Sequence, residues 1–420
     1  MKKWNPNFCL SGAWPVVLLL ATAILGTSCK TYSSRLVSDS APCVARLKAG
    51  GSIREEVDRL ALPLIESGEI YGAAIGVLTP DGSTLNYGYG RTGRPGDAQP
   101  PGADTIFEVG SISKLFVASL LALLVEEGKL HYEDTVRGIL PQDVALSADV
   151  GQLTLYELVT HTGGLPRQPN NSTQLRYFIK YLFTGRNLYG YITKPYLYEY
   201  LRTCRLKPKG QRQHAYSNIG TALLAHLIEV RTGRSIPDLV EEKICRPLNM
   251  HDTVFALDAE QRKRLAIGHV GDQPKFVRRN TPMADWDMGE IMRASGGLYS
   301  SVNDLITFAK SNLGLLGHSL DPLLASTHCV QFRTPTEDVA FGWLINYFDE
   351  GHSAINYMHG MVSGYSAYIG MDGYKPIAVV VLYNNFNWHD KIGHNLVLRL
   401  SGALETGNGS DRSSALKDAH

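Results

Sequence analysis

The chain has 420 residues, 44% of them hydrophobic, and its 41 basic and 40 acidic residues leave a net charge of +1. That length is ample for a large core, as one big unit or two intimately packed subdomains. The even balance excludes the basic field of a nucleic-acid binder and the acidic block of a disordered tail, and no internal repeat is present.

The first segment stands apart. Lys2 and Lys3 give a positive start, "WPVVLLLATAILG" runs from Trp14 to Gly26, and Thr27, Ser28 and Cys29 follow. The apolar run is short for a bilayer span and suits a secretory signal. Small residues before Cys29 resemble a bacterial lipoprotein cleavage site, although Gly26 stands where a large aliphatic residue is usual, with Leu25 one place earlier. The expectation is a signal over residues 1–29 with a lipid on Cys29, plain secretion being the alternative. Residues 30–50 read as a polar tether. Export permits disulfides. Cys43, Cys204, Cys245 and Cys329 allow three full pairings, or remain buried thiols, and no Cys/His cluster suggests a metal.

A helical pattern begins at "SIREEVDRLALPLIESG", and "AAIGVLTPDGSTLNYGYG" then places two strand-like runs around Asp81-Gly82, a hairpin signal. "LFVASLLALLVEEGKL" is apolar nearly all round and reads as a buried helix closed by Gly128. "LTLYELVTHTGGLP" reads as a helix ending in a Gly-Gly turn. The region from about 130 to 290 is helix-rich, with "NIGTALLAHLIEVRTG" the clearest case. "SVNDLITFAKSNLG" adds a helix capped by Ser301 or Asn303. Strand patterns return in "VAFGWLINYF", "SGYSAYIGMD" and "PIAVVVLYNN", and "KIGHNLVLRLSGAL" closes the fold. The predicted class is α+β: one antiparallel sheet built from both chain ends, flanked by helices, with a helical subdomain inserted. The predicted domain spans residues 51–404, and 405–420 form a polar tail.

Within "EVGSISKLF", Ser111 and Lys114 are three residues apart at the mouth of the apolar helix. Positions i and i+3 share a helix face, so the two side chains would touch. Burial lowers a lysine pKa and makes the amine a base for the serine proton. A serine at a helix N-terminus also gains from the dipole as an oxyanion forms. The same spacing recurs at Ser414 and Lys417. That copy has no apolar helix behind it and is read as chance.

These motifs identify the chain as similar to the class C β-lactamase and D-alanyl-D-alanine carboxypeptidase superfamily of serine hydrolases. "EVGSISKLFVASLLALLVEEGKL" resembles its active-site helix, "LYELVTHTGGLP" its "LLTHTSGLP" segment, and Tyr216-Ser217-Asn218 its Y-x-N. "RASGGLYSSVNDLITFAK" and "AFGWLINY" continue the likeness, which covers roughly residues 55 to 403. Tyr383-Asn384-Asn385 is a second Y-x-N, read as a strand end. The resemblance implies Ser111 as nucleophile, Lys114 as its proton-accepting partner and Tyr216 as a second proton shuttle. It implies Asn218 as a group bonded to Lys114 and the substrate amide. A packed tyrosine and a helix-capping asparagine are the plainer readings of those last two positions. His161 and the tyrosines from Tyr177 to Tyr200 are read as structural, with part of the latter a candidate substrate lip.

The third family motif falls in "YMHGMVSGYSAYIG", where two registers exist. The preferred one counts back from Gly364-Tyr365. It sets Gly360 at the motif glycine, His359 at the threonine place and Met358 at the cation place. The other makes His359 the cation and puts Met361 at the glycine. The resemblance assigns substrate contact to His359 and Gly360, and an oxyanion-donating N–H to Met361. Met358 supplies no charge, so the electrostatics near Tyr216 are expected to rest on Lys114, with His359 if it reaches. The leader leads us to expect an exported chain anchored to a membrane through Cys29, and the resemblance implies a hydrolase without metal or cofactor. Its substrate would be a peptidoglycan peptide ending in D-Ala-D-Ala or a β-lactam. An esterase of the same superfamily and a binding homologue without turnover are the rivals.

Overall fold

The computed structural model describes residues 52–96, 99–334, 337–348, 353–387 and 392–405. The expectations for the signal, Cys29, the tether, Cys43 and the tail beyond Glu405 lie outside the described residues.

Helix α1 (Ile53–Glu66) starts at a capping box between Ser52 and Glu55. Strands β1 (Gly72–Leu78) and β2 (Thr84–Gly90) form the expected hairpin, its turn closed by Thr79 N donating to the Ser83 carbonyl and relaxed by Gly82 at φ +85°. After the short β3 (Phe107–Glu108) comes a single 3₁₀ turn, Gly110–Ile112, which feeds α2 (Ser113–Glu126). The helical middle holds α3 (Val136–Ile139), α4 (Ala148–Gly151), α5 (Leu155–Val159), α6 (Ser172–Thr184), α7 (Lys194–Thr203), α8 (Asn218–Thr232), α9 (Ile236–Val240), α10 (Ala259–Arg264) and α11 (Gly289–Gly296). Then come β4 (Tyr299–Ser300), α12 (Val302–Asn312) and α13 (Asp321–Ser326). The chain ends in β5 (Phe332–Arg333), β6 (Asp338–Val339), β7 (Leu344–Phe348), β8 (Ser353–Val362), β9 (Tyr365–Asp372), β10 (Ala378–Tyr383) and α14 (Gly393–Glu405).

The main sheet has eight strands in the order β2-β1-β10-β9-β8-β7-β6-β5, every neighbouring pair antiparallel. The first hairpin of the chain therefore pairs with its last strand. Both faces are covered, which is why "AVVVLY" in β10 is apolar without alternation and buried throughout. On one face Met358, Ala367, Ile369, Val380 and Leu382 join the core of α2, α8 and α12. On the other, Tyr357, Tyr368, Val379 and Val381 pack with Val57 and Ala61 of α1 and Leu396 and Val397 of α14.

Local chemistry sets the helix ends. Thr154 and Glu157 form a capping box that opens α5, which stops at Val159, shorter than its pattern suggests. His161 then turns the chain with φ +57°. Ser217, not Asn218, caps α8, accepting from Gly220 N at 2.8 Å, and Gly233 closes it in the left-handed conformation. Ser301 is the cap of α12. Cys204, Cys245 and Cys329 are free thiols.

Candidate active site

Strand β8 outruns its neighbour. Its pairing with β7 ends at Leu344↔Tyr357, whereas its pairing with β9 continues to Val362↔Tyr365. Residues 358–362 thus present an edge, and the 3₁₀ turn before α2 docks there. The docking depends on two glycines. A methyl group on Gly360 would come within 1.8 Å of the Val109 carbonyl oxygen and 3.2 Å of Ser111 N. One on Gly110, at φ +52°, would lie 2.6 Å from Met361 N. The Ser111 and Met361 amides therefore flank one tight backbone contact.

Ser111 sits on that turn, half-buried, with its Oγ at the centre of a hydrogen-bonded group. Lys114 Nζ donates to it at 3.0 Å, as the i,i+3 spacing predicts. The Tyr216 hydroxyl donates to it at 2.6 Å from the residue before the α8 cap. The neighbouring Ser113 fixes the turn against α11 and β4. Its hydroxyl donates to the Gly110 carbonyl at 2.6 Å and accepts from Leu298 N at 3.1 Å.

Lys114 is buried in the first turn of α2, only 3% exposed. Burial, and secondarily the Arg167 charge, hold its pKa well below the ordinary lysine value. Its second partner is the Ser295 carbonyl, 2.5 Å away. That carbonyl belongs to the last turn of α11, where helix carbonyls lack intrahelical partners and carry the negative end of the dipole. Ser295 Oγ in turn donates to the Asn218 carbonyl at 2.7 Å, joining α11 to α8.

Asn218 is at the site but in a different arrangement from the expected one. Its Nδ2 donates to the Tyr189 hydroxyl at 3.0 Å, while the amine of Lys114 is taken by Ser111 and Ser295. Tyr189 also donates to Gln168 Oε1 at 3.3 Å, and its ring meets Trp286 edge-on at 6.0 Å. His161 ties the loop before α6 to the start of α8: its carbonyl accepts from Ala215 N at 2.9 Å and its Nδ1 from Ser217 N at 3.4 Å.

On β8, alternation puts Met358 on the side of Gly360, in the core shared with α2. His359 points the other way. Its ring lies 5.2 Å from both Tyr357 and Tyr368, on the face covered by α14. Burial pushes its pKa down to about 3, helped by His394. Of the residues expected at the substrate, His359 is the one the fold does not bring to Ser111, because a strand turns successive side chains to opposite faces.

Ser295 and Arg167 went unread in the sequence, and Tyr189 is read there only within the tyrosine stretch, as structural or as a substrate lip. Ser295 and Tyr189 act through a carbonyl and a hydroxyl that only tertiary packing brings near Lys114 and Asn218. Arg167 follows the "THTGGLP" segment directly, and its guanidinium lies over the Tyr216 ring, 5.1 Å from the ring centre.

The Beta-lactamase family model matches residues 57–403, and the chain belongs to that family. It is 28% identical over 368 residues to the D-alanyl-D-alanine-carboxypeptidase/endopeptidase AmpH of Escherichia coli strain K12, covering 82% of this chain and 89% of that one. A beta-lactamase of Pseudomonas fluorescens is 26% identical over 79% of this chain and 93% of its own. Among solved structures, a class C beta lactamase from Rhodobacter sphaeroides superposes with TM-score 0.68 at 25% identity, over 84% of this chain and 99% of that chain. The fold class read from the sequence, an antiparallel sheet from both chain ends flanked by helices, is the one found.

Proposed function

We propose that this chain is a serine hydrolase that works through an acyl-enzyme on D-Ala-D-Ala-type peptides or β-lactams. The observation that carries the reading is the double contact at Ser111 Oγ, with Lys114 Nζ at 3.0 Å and the Tyr216 hydroxyl at 2.6 Å. Relatives named for carboxypeptidase and β-lactamase activity support the substrate class.

In this reading Ser111 Oγ attacks the carbonyl carbon and its proton passes to the neutral amine of Lys114. The Ser111 and Met361 N–H groups receive the oxyanion. The bond to the leaving nitrogen breaks as that nitrogen takes a proton through Tyr216, and water later releases the acyl group by the reverse relay. Because burial lowers the Lys114 pKa, the neutral amine is reached at lower pH than for an ordinary lysine, and acylation should rise with pH through that pKa.

A second reading, an esterase of the same family, is favoured by one feature: Met358, at the place of the family cation, is apolar and 3% exposed. Labelling with a fluorescent penicillin, followed over time by intact-protein mass spectrometry, separates the readings. Lasting label on Ser111 indicates a peptidase, and rapid loss a β-lactamase. Absence of label together with turnover of neutral esters indicates an esterase. Absence of both would leave a binding protein and overturn the proposal.

The reading includes export and a lipid anchor on Cys29, motivated by the small residues before that cysteine. If so, wild type partitions into detergent and Cys29→Ser does not. A mature N-terminus mapped elsewhere would refute the anchor.

A further inference from the structure

The strand that should carry a positive charge carries Met358, while a guanidinium stands across the site. Arg167 lies in the segment between α5 and α6, and hydrogen bonds lock that segment to the start of α8. The Arg167 carbonyl accepts from Asn218 N at 3.0 Å, and the Pro166 carbonyl accepts from Ser217 Oγ at 2.7 Å. The residues on either side of the α8 cap, Tyr216 and Asn218, are thereby held in fixed relation to Arg167. Its guanidinium carbon is 5.1 Å from the centre of the Tyr216 ring, and Lys114 Nζ is 5.0 Å from the same centre. One tyrosine ring thus has two cations within cation–π range, one of them able to lose its charge.

We propose that Arg167 is the permanent cation of this site, supplying across the Tyr216 ring the positive potential that Met358 cannot supply from β8. The inference rests on the Ser111 acyl-enzyme reading and deepens it. Acylation needs Lys114 neutral and places passing negative charge on Ser111 and Tyr216. A guanidinium that never titrates favours both, and the direction of the Lys114 shift agrees. Other titratable groups stand near the pair. His161, 4.9 Å from the Tyr216 ring, and His214, 6.1 Å from His161, are both held below the ordinary histidine pKa by burial. Glu157 is engaged by Arg212 at 3.4 Å and Lys209 at 3.9 Å. Tyr189 is kept protonated by burial. From α11 and β8 the contributions are the Ser295 carbonyl and Met358.

The test is the pH dependence of Ser111 acylation by a fluorophosphonate and by penicillin, in wild type, Arg167→Gln and Arg167→Lys, with melting curves to confirm folding. Arg167→Gln should move the acidic limb up by about one pH unit and slow acylation roughly tenfold or more at pH 7. Arg167→Lys should keep the limb within a few tenths of a unit. Adding Met358→Lys to Arg167→Gln should restore part of the loss. A limb that stays in place in Arg167→Gln overturns the proposal, whether the rate is unchanged or falls evenly at all pH values, and leaves the acyl-enzyme reading standing. Wild type that takes no label on Ser111 overturns both.

Discussion

The two walls of the site are built on different principles. The helical wall is polar and made of side chains and a helix end: Lys114 from α2, Tyr216 ahead of α8 and the Ser295 carbonyl at the end of α11 converge within hydrogen-bond distance. The strand wall is apolar and made of backbone: Gly360 and Met361 lie against Val109–Ser111, and Met358 fills core. Helix termini offer unpaired backbone groups and short-range clustering of side chains. A strand edge offers regularly spaced amides and tolerates any side chain that clears the contact. Substitutions on the first wall should therefore act on chemistry and leave folding intact, and those on the second should act through fit.

The largest effect is expected on the helical wall. Ser111→Ala should abolish covalent labelling by penicillin or fluorophosphonate, and Ser414→Ala should change nothing. Lys114→Ala should fold nearly as well yet lose several powers of ten in acylation rate, since nucleophile and base act as a unit. An adduct mapped to another serine by mass spectrometry would break the comparison outright.

Gly360→Ala tests the strand wall. The added methyl group meets the Val109 carbonyl at 1.8 Å, so β8 and the 3₁₀ turn must part. Acylation should fall by about two powers of ten, as a shift of about 1 Å at the reacting groups can cause, and overpacking should cost about 1–3 kcal/mol in denaturant melts. Activity near wild type would mean that the Gly110–Gly360 contact does not position Ser111.

Met358→Lys should have a smaller effect, in the opposite direction. Met358 shares the side of Gly360, so an amine there starts from the right face of β8, but it replaces a buried apolar group. Turnover of carboxylate-bearing substrates should rise several-fold relative to neutral esters, and the acidic limb of the pH–rate profile should move down. A loss of activity together with lowered Tm would show that position 358 is core alone.

Much of this was legible because the decisive signals are local. The S-x-x-K spacing before an apolar run determines the Ser111–Lys114 contact, and Asp81-Gly82 between two strand-like runs determines the hairpin. The sequence narrows the cap of α12 to Ser301 or Asn303, and Ser301 takes it. What escaped depends on tertiary partners that no spacing encodes. Asn218 had two expected fates, bonding Lys114 or capping α8. It has neither, because Ser217 takes the cap and the Tyr189 hydroxyl, from the loop after α6, takes its amide. Arg167 is invisible as a site residue until the loop before α6 folds back over Tyr216. The extent of α5 was overread, since the helix was expected to run to the Gly163-Gly164 turn while His161 already turns the chain.

The smallest effect on activity is expected at His359, and its pH behaviour separates the two faces of β8. His359 is packed against Tyr357 and Tyr368 on the side away from Ser111, so His359→Ala should alter the acylation rate by no more than a few-fold. It should show instead in stability. Burial pushes the native pKa of His359 down to about 3, and that of the nearby His394 to about 4. An unfolded chain binds these protons near the usual histidine pKa of about 6.5. Below that pH the unfolded state therefore holds more protons than the native one, and stability falls as pH drops from about 6.5 toward 4; above it both states are neutral and the contribution is flat. Removing His359 should make the Tm-versus-pH curve shallower between about pH 6.5 and 4, on top of a pH-independent loss from the cavity. If His359→Ala instead lost acylation by orders of magnitude with an unchanged slope, His359 would be the motif cation, and the alignment of β8 would be off by one residue.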